Sequence, residues 1–430
     1  MTLSFSLDVS SEALKFKYTP QNLTVLGYHN NPWLAMVPKM ESFGGGGMGL
    51  EGLAYGTDGT GKGLPIPIWH ATGQGHGNDI AQAQANQSDS KFEEFILRRA
   101  RYYGVHELSR AVLKSSVGRE HAFLEAQGAV MDELIYNMTR NMANDLYKDG
   151  SGSRGVVGSG EATPTITLED PEDIVNFELG MFIEATSGSS FGTVHTGGAA
   201  VAQITGIDRD AGTLTTTGNW TALITDPIAA GDHLFVRGDA QATFAAARKV
   251  VGLAGWLPST APAPTDNFFG VDRSVDVTRL AGIRHDGSSQ SVEEAIIDTG
   301  TKMFREGARP DLTLINPVQF AELAKSLQGK AEYSPVSSPD GVVSFSSLKV
   351  RTGAGEVSLL SDPNCPVNRA YMLQTNTWKL YCLGPMIELI DEDGLTMMRK
   401  AASDDYEVRF ASYCQLGCNA PGKNAVVTLA

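Results

Sequence analysis

The longest regular pattern of apolar positions in the chain runs over residues 116–148. Apolar residues recur there mostly at steps of three and four, as they do along the buried stripe of an amphipathic helix. Ser115 and Ser116 offer N-caps, and the glycine-rich segment 149–153 predicts the end of the helix. About 30 helical residues would span roughly 45 Å, enough to cross a large domain or to serve as a structural spine. The predicted buried stripe consists of Leu124, Met131, Leu134, Ile135, Met138, Met142 and Leu146.

A strand pattern precedes this helix. Residues 64–70 alternate in polarity, and the two prolines among them confine such a strand to a sheet edge or a hairpin. A polar segment, 78–90, follows, and residues 92–103 could return as the second strand. A two-stranded hairpin is barely stable alone in water. We therefore expect it to be covered, either by the body of the same chain or by a neighbouring one.

The charges of the returning strand change sign along its length. Glu93 and Glu94 are followed by Arg98, Arg99 and Arg101. This order suits ion pairs at the rim of an interface, and it equally suits a solvated strand edge protected against aggregation. The many glycines around the hairpin do not form a phosphate-binding loop, because the sequence has no G-x-x-x-x-G-K-[ST] motif.

After the predicted long helix, the composition of the chain changes twice. Residues 166–246 are rich in Thr, Gly, Val and Ile with frequent turns, which predicts a small β domain. Beyond a proline-containing linker, Ser291 and Glu294 form a capping box for a helix that ends at Gly307. A short buried strand, 312–315, leads to Asn316 and Pro317, which begin a second helix. The final part is mainly strands, predicted at 357–360, 370–374, 378–383, 386–390 and 406–414.

Composition indicates a globular protein of two or three domains. The chain has 430 residues, 42% of them hydrophobic, and a net charge of −15. That charge argues against a surface that binds nucleic acid by neutralising phosphates. The four cysteines do not resemble a disulfide framework, so buried, reduced thiols are expected. The N-terminus lacks the features of a signal peptide, and no run reaches the ~20 apolar residues of a membrane span.

The search for catalytic chemistry yields little. The sequence contains no G-x-S-x-G, H-E-x-x-H or dinucleotide-binding motif. Cys414 and Cys418 are spaced C-x3-C without a nearby histidine, which favours buried thiols over a metal site. The acidic clusters 391–393 and 404–405 are typical of solvated turns. One enzymatic alternative stays open, a hydrolase that uses Asp391 or Asp393 with His233. We otherwise predict no enzyme, no cofactor and no metal.

The order of these parts resembles the major capsid proteins of tailed bacteriophages, which have the Hong Kong 97-like fold. An N-terminal arm, a long hairpin, a spine helix, an α/β region and long C-terminal strands follow one another as in that family. The β-rich segment at about 160–246 is the main departure. The local resemblance lies in residues 268–274, 294–307, 310–314, 316–317, 361–366, 378–380, 393–395 and 405–409.

The resemblance implies an α+β, Hong Kong 97-like capsid fold with an inserted small β domain. It implies a division into an N-terminal arm (1–50), an extended loop formed by the long hairpin (51–108), a peripheral domain with the spine helix (109–158), the inserted β domain (159–247), an axial α/β domain (248–355), and C-terminal strands shared by the axial and peripheral domains (356–430). The hairpin would lie on an adjacent subunit. Candidate inter-subunit contacts are Trp69, Glu93, Glu94, Arg98, Arg99, Arg101 and Tyr102.

The implied function is a non-enzymatic shell subunit that self-assembles into an icosahedral phage head around double-stranded DNA. The implied partners are the chain itself, in hexamers and pentamers, a separate scaffolding protein, a portal protein and, as a further candidate, a decoration protein. Contact with packaged DNA would be non-specific, and no membrane would be involved. The expected location is the virion capsid, assembled in the host cytoplasm. Covalent cross-linking through Lys62 or Lys91 is not favoured. The alternative within the same fold is a subunit of an encapsulin-type compartment.

Overall fold

The computed structural model describes residues 31–40, 63–108, 110, 120–195, 201–224, 228–264, 266–327, 333–337, 344–391, 398–400 and 403–430. Four predicted features lie outside the described residues: most of the N-terminal arm, the N-caps Ser115 and Ser116, Lys62, and Asp393. The side chain of Leu124 is also outside the description, so its place in the stripe stays a prediction.

The spine helix spans Glu120–Asp145 over 26 residues, ending three residues before the predicted boundary. The predicted stripe is confirmed where it is described. Leu134 is half-buried against the main hydrophobic core, and the other stripe residues are at most 5% exposed: Met131, Ile135, Met138, Met142 and Leu146. After the helix, Gly150 and Gly152 adopt positive φ angles of 90° and 87°, which glycine tolerates without a Cβ penalty.

The α/β region is built on a seven-stranded mixed sheet. Its central strand, Leu312–Ile315, is buried at every residue, including Thr313, which confirms the predicted buried strand. The two predicted helices flank it, Val292–Arg305 and Pro317–Leu327. The Ser291 hydroxyl accepts the Glu294 N–H at 3.3 Å, which confirms the capping box. Across the sheet, the strands run Ile283–Asp286, Ala425–Thr428, Arg369–Leu373, Leu312–Ile315, Gly355–Ser361, Ser344–Thr352 and Tyr333–Ser337.

The Thr- and Gly-rich segment forms a closed six-stranded barrel. Its interior is a hydrophobic cluster separate from the main core, and it includes Phe177, Leu214 and Trp220, all fully buried. A closed barrel leaves no free strand edge, which accounts for the stability of such short strands. Around the barrel, the strands are His233–Val236, Gly155–Ser159, Thr165–Leu168, Thr213–Thr216, Ala202–Asp208 and Phe182–Thr186.

A buried polar network joins the barrel to the end of the spine helix. Arg154 and Asp145 form an ion pair at 3.7 Å, and each side chain is only 1% exposed. The Asn144 amide donates to Asn176 Oδ1 at 2.8 Å, and the Asn176 amide donates to the Arg154 carbonyl at 3.0 Å. Because a buried charge that loses its partner costs about 3–5 kcal/mol, this network fixes the barrel in one position on the helix.

The C-terminal strands differ from the prediction in two places. The predicted strand 406–414 is in fact two strands in different sheets, Tyr406–Ser412 and Cys414–Cys418. The predicted strand 386–390 is reduced to Glu388–Leu389. Further strands are Lys39–Met40, Leu64–Ala71, Lys91–Leu97, Tyr102–Leu108, Asn267–Phe268, Val271–Asp272, Trp378–Cys382 and Met398–Arg399; further helices are Pro32–Met36, Ile80–Ala85, Trp220–Leu223, Leu253–Trp256 and Val277–Ala281.

Candidate functional site

The predicted hairpin is present, but its second strand is shorter than expected. Strands Leu64–Ala71 and Lys91–Leu97 pair antiparallel, with Leu64 opposite Leu97 and Trp69 opposite Phe92. The predicted continuation to residue 103 is wrong. The chain leaves the hairpin because the Ala100 N–H donates to the Cys414 carbonyl and the Arg101 N–H to the Arg248 carbonyl. The next strand, Tyr102–Leu108, then pairs with Tyr406–Ser412.

The root of the hairpin is covered by the body of its own chain. Ile66, Ile68, Phe95 and Leu97 are at most 5% exposed and belong to the main core. The Phe95 ring meets the rings of Trp256 and Phe268 edge-on, with centroids 5.1 and 6.0 Å away. Burial of these side chains removes the instability expected of an isolated hairpin and fixes the direction in which the hairpin projects.

The end of the hairpin is not covered by any described part of the chain. Residues 72–94, which we call the hairpin end, are all exposed except the half-buried Ala83. Beside it, Trp69 is 58% exposed and stacks on Phe92, which is 66% exposed, with ring centroids 5.9 Å apart and planes at 15°. Ile80 is 75% exposed at the tip. Two stacked aromatic rings on a projection are the kind of exposed apolar surface that marks a protein contact.

The hairpin end is acidic. It carries four acids, Asp79, Asp89, Glu93 and Glu94, against the one base Lys91, which gives a net charge of 1 − 4 = −3. Glu93 and Glu94 are exposed, as candidates for contacts between subunits must be. Strand alternation places Glu94 on the same face as Phe92, the face that carries the stacked rings.

The basic residues that follow the hairpin are engaged within the chain. Arg98 Nη1 donates to the Ala245 carbonyl at 2.6 Å, and the Arg99 guanidinium lies 5.2 Å from the centroid of the Tyr413 ring. Arg101 is half-buried. These contacts hold the chain to its own body, so a role of the three arginines toward a neighbour stays a prediction.

The prediction that Tyr102 contacts a neighbouring subunit is wrong. Its side chain is 5% exposed, its hydroxyl donates to Asp145 Oδ2 at 2.7 Å, and it accepts the Val250 N–H at 3.1 Å. Burial, assisted by the Asp145 charge, raises the pKa of Tyr102 well above its usual value. A side chain buried in this way offers no surface to a neighbour. Conversely, the sequence analysis did not include Phe92 and Ile80 among the candidate contacts between subunits. The one signal that could have indicated Ile80 is its position as an isolated isoleucine in a polar segment.

The geometry gives the hydrolase alternative no support. His233 lies in the barrel, where its Nδ1 is 3.0 Å from the Ser153 hydroxyl. Burial lowers the pKa of His233, and the acids that act on it are Asp149, Glu169 and Asp232. Asp391 instead follows the strand Glu388–Leu389 of another sheet.

The described residues contain no group of three or more His, Cys, Asp or Glu placed to hold a metal ion. The side chains of Cys365, Cys382, Cys414 and Cys418 are buried, and burial raises the pKa of Cys418 to about 12. Within the described ranges, no helix has the length and apolar character needed to cross a membrane.

Comparison with known proteins gives similarity only to solved structures. No family model and no curated protein matches the chain. A cyanophage A-1(L) capsid structure is 11% identical, with 93% of this chain and 92% of that chain covered, at a TM-score of 0.49. The capsid of the Myoviridae phage XM1 is 9% identical, with 92% of this chain and 90% of that chain covered, at a TM-score of 0.40. The SrpI encapsulin of Synechococcus elongatus is 14% identical, with 32% of this chain and 48% of that chain covered, at a TM-score of 0.23.

Proposed function

We propose that the chain is the subunit of a closed protein shell, the major capsid protein of a phage head that encloses double-stranded DNA. The observation that carries this proposal is the hairpin with a buried root and an exposed end. The root lies in the main core, whereas the end projects with the stacked Trp69 and Phe92 uncovered by the described residues. A second copy of the chain is the simplest cover for such an end, because every subunit of a shell then both gives and receives the same contact.

A contact of this kind is heterologous, since the hairpin end of one subunit meets a different surface on the next. Heterologous contacts close into rings when the rotation between subunits permits, which supports assembly through pentamers and hexamers. The long spine helix and its buried stripe supply a rigid body from which the hairpin extends. A rigid body matters because small errors in the angle between neighbouring subunits would add up around a ring.

The remaining parts fit the division of a Hong Kong 97-like subunit. We assign the hairpin to the extended loop, and 248–355 to an axial domain around the fivefold and sixfold positions. The predicted loop boundary at 108 is too late, because Tyr102–Leu108 pairs with Tyr406–Ser412; we therefore assign that strand, the spine helix and the C-terminal strands to a peripheral domain. The barrel has a hydrophobic cluster of its own, which supports its assignment as an inserted domain. The predicted start at residue 159 is too late, because the first barrel strand is Gly155–Ser159.

The predicted arm of residues 1–50 is wrong for residues 31–40, because Trp33 and Leu34 are 1% exposed in the main core of their own chain and Lys39–Met40 pairs with Trp378–Cys382. We propose an arm on another part of the shell only for the residues before them.

The charge of −15 favours loose containment of DNA over specific binding, since a sequence-reading protein would present basic surfaces. Scaffolding, portal and decoration proteins are the further partners that we propose, and assembly would take place in the cytoplasm of the host. Neither a catalytic role nor a cofactor is needed for such a subunit.

Size and nucleic-acid content together test the proposed function. Particles isolated from their native source should elute at the void volume of a size-exclusion column, with a light-scattering mass of megadaltons, and should contain DNA protected from nuclease. Particles that contain protein cargo and no DNA would favour an encapsulin-type compartment. A species the size of a monomer or small oligomer under all conditions would contradict a shell.

A further inference from the structure

We propose that a cavity at the root of the hairpin receives a carboxylate side chain from the hairpin end of a second copy of this chain. This inference rests on the proposed function and names the receiving surface on the neighbouring subunit. The cavity has a volume of about 270 Å³ and lies between the strand Leu64–Ala71 and the segments around Arg279 and Lys423.

His70 is the central residue of this cavity. It sits at a β-bulge, because the pairing of the hairpin strands shifts register between Trp69 and Ala71. A bulge redirects a side chain that regular alternation would place elsewhere. The His70 side chain is only 4% exposed, yet its Nδ1 atom has no hydrogen-bond partner among the described residues. A buried imidazole nitrogen without a partner carries a free-energy cost that an incoming polar group would remove.

The charges around His70 select the class of ligand. Arg279 and Lys423 line the cavity with two positive charges, and Glu306 adds one negative charge. Arg279 Nη1 donates to the His70 carbonyl at 2.6 Å, which holds the guanidinium at the cavity wall. The Arg, Lys and Glu side chains that line the cavity therefore have a formal net charge of 2 − 1 = +1, in a chain whose total is −15. Arg279 Nε also lies 3.8 Å from Asp276 Oδ2, outside the lining. A carboxylate would find guanidinium, ammonium and imidazole donors together.

The chain itself supplies an occupant for this cavity. A volume of about 270 Å³ is large enough to admit a side chain. The hairpin end supplies suitable carboxylates, because it is acidic and its Glu94 is exposed, opposite Pro67 in the paired strand. An end-to-root contact would also repeat around a ring, since each subunit has one end and one root.

Site-directed cross-linking tests this contact. Because the four native cysteines are buried, a chain with Glu94→Cys and Lys423→Cys would present two exposed thiols. Oxidation of assembled particles should then produce covalent dimers and longer chains on a non-reducing gel. A chain with Ala162→Cys and Lys423→Cys is the matched control, because Ala162 is an exposed residue of the barrel, and it should stay monomeric on the gel.

A charge exchange provides the second test and separates the two proposals. Lys423→Glu alone and Glu94→Lys alone should each lower the yield of particles about fivefold, and the double variant should restore it. Wild-type particles that form normally, with no cross-linking of the 94 and 423 pair and no rescue in the double variant, would overturn this contact and leave the proposed function standing. Failure of the wild-type chain to form any particle would overturn the proposed function itself, and this contact with it.

Discussion

Replacing Ile135 with aspartate should leave almost no soluble, folded protein. Ile135 is 0% exposed in the middle of the stripe that anchors the spine helix to the main core. An aspartate there would bury a carboxylate without a partner and would also lose the packing of the isoleucine. Together these changes should cost more than about 4–5 kcal/mol, a large part of the ~5–15 kcal/mol that stabilises a typical domain.

The measurement for this variant is the soluble fraction after expression, followed by thermal unfolding of whatever is recovered. Tyr136→Asp is the matched control, because Tyr136 is the next residue along the helix and is 46% exposed. We expect the control to remain soluble with nearly unchanged stability. Equal yield and equal melting temperature for the two variants would mean that the stripe does not hold the subunit together.

Replacing both Trp69 and Phe92 by alanine should have a different effect from the Ile135 variant. The subunit should fold but should not assemble. The two rings are 58% and 66% exposed, so their loss should change subunit stability by no more than about 1.5 kcal/mol. At a contact with a neighbour, covering the exposed part of each ring would contribute about 2–3 kcal/mol. Losing both contributions would weaken every contact in the shell by a factor of roughly a thousand or more.

Assembly of this variant should be followed by light scattering as a function of protein concentration, alongside circular dichroism of the free subunit. The conservative change Trp69→Phe keeps a stacked pair and should assemble at a concentration close to that of the wild type. If the double alanine variant assembled as readily as the wild type, the stacked rings would have no role between subunits.

Local sequence patterns predicted those elements whose contacts are set by neighbours in the chain. The spacing of Met131, Ile135, Met138 and Met142 was enough to predict one buried helix face, because side chains three and four residues apart lie together on a helix. The helix that begins at Ser291 was predicted for a similar reason, since its capping box closes within four residues.

The boundary of the hairpin could not be predicted in this way. Residues 92–103 have apolar residues on both sides of the basic segment 98–101, and that segment is also typical of a continuous strand at a sheet edge. That point is set by the carbonyls of Cys414 and Arg248, which lie more than a hundred residues away. Burial of Tyr102 depends equally on Asp145 and Val250, so its aromatic ring alone did not reveal whether it faced inward or outward.

The division between covered root and exposed end has the same origin. Phe92 and Phe95 lie on opposite faces of one strand and are 66% and 0% exposed. Strand alternation separates the two faces but does not show which of them is covered. Trp256 and Phe268 decide the difference by packing on Phe95. The sequence predicted that the hairpin needed cover, and only the tertiary contacts show which part the chain covers itself.

Negative-stain electron microscopy of the native particles tests the central proposal most directly. If the hairpin end of each subunit lies on the next, the micrographs should show closed shells of uniform size, and mild dissociation should release rings of five and six subunits. Micrographs that show only small, separate molecules, at every concentration and ionic strength tried, would contradict the proposal that this chain builds a shell.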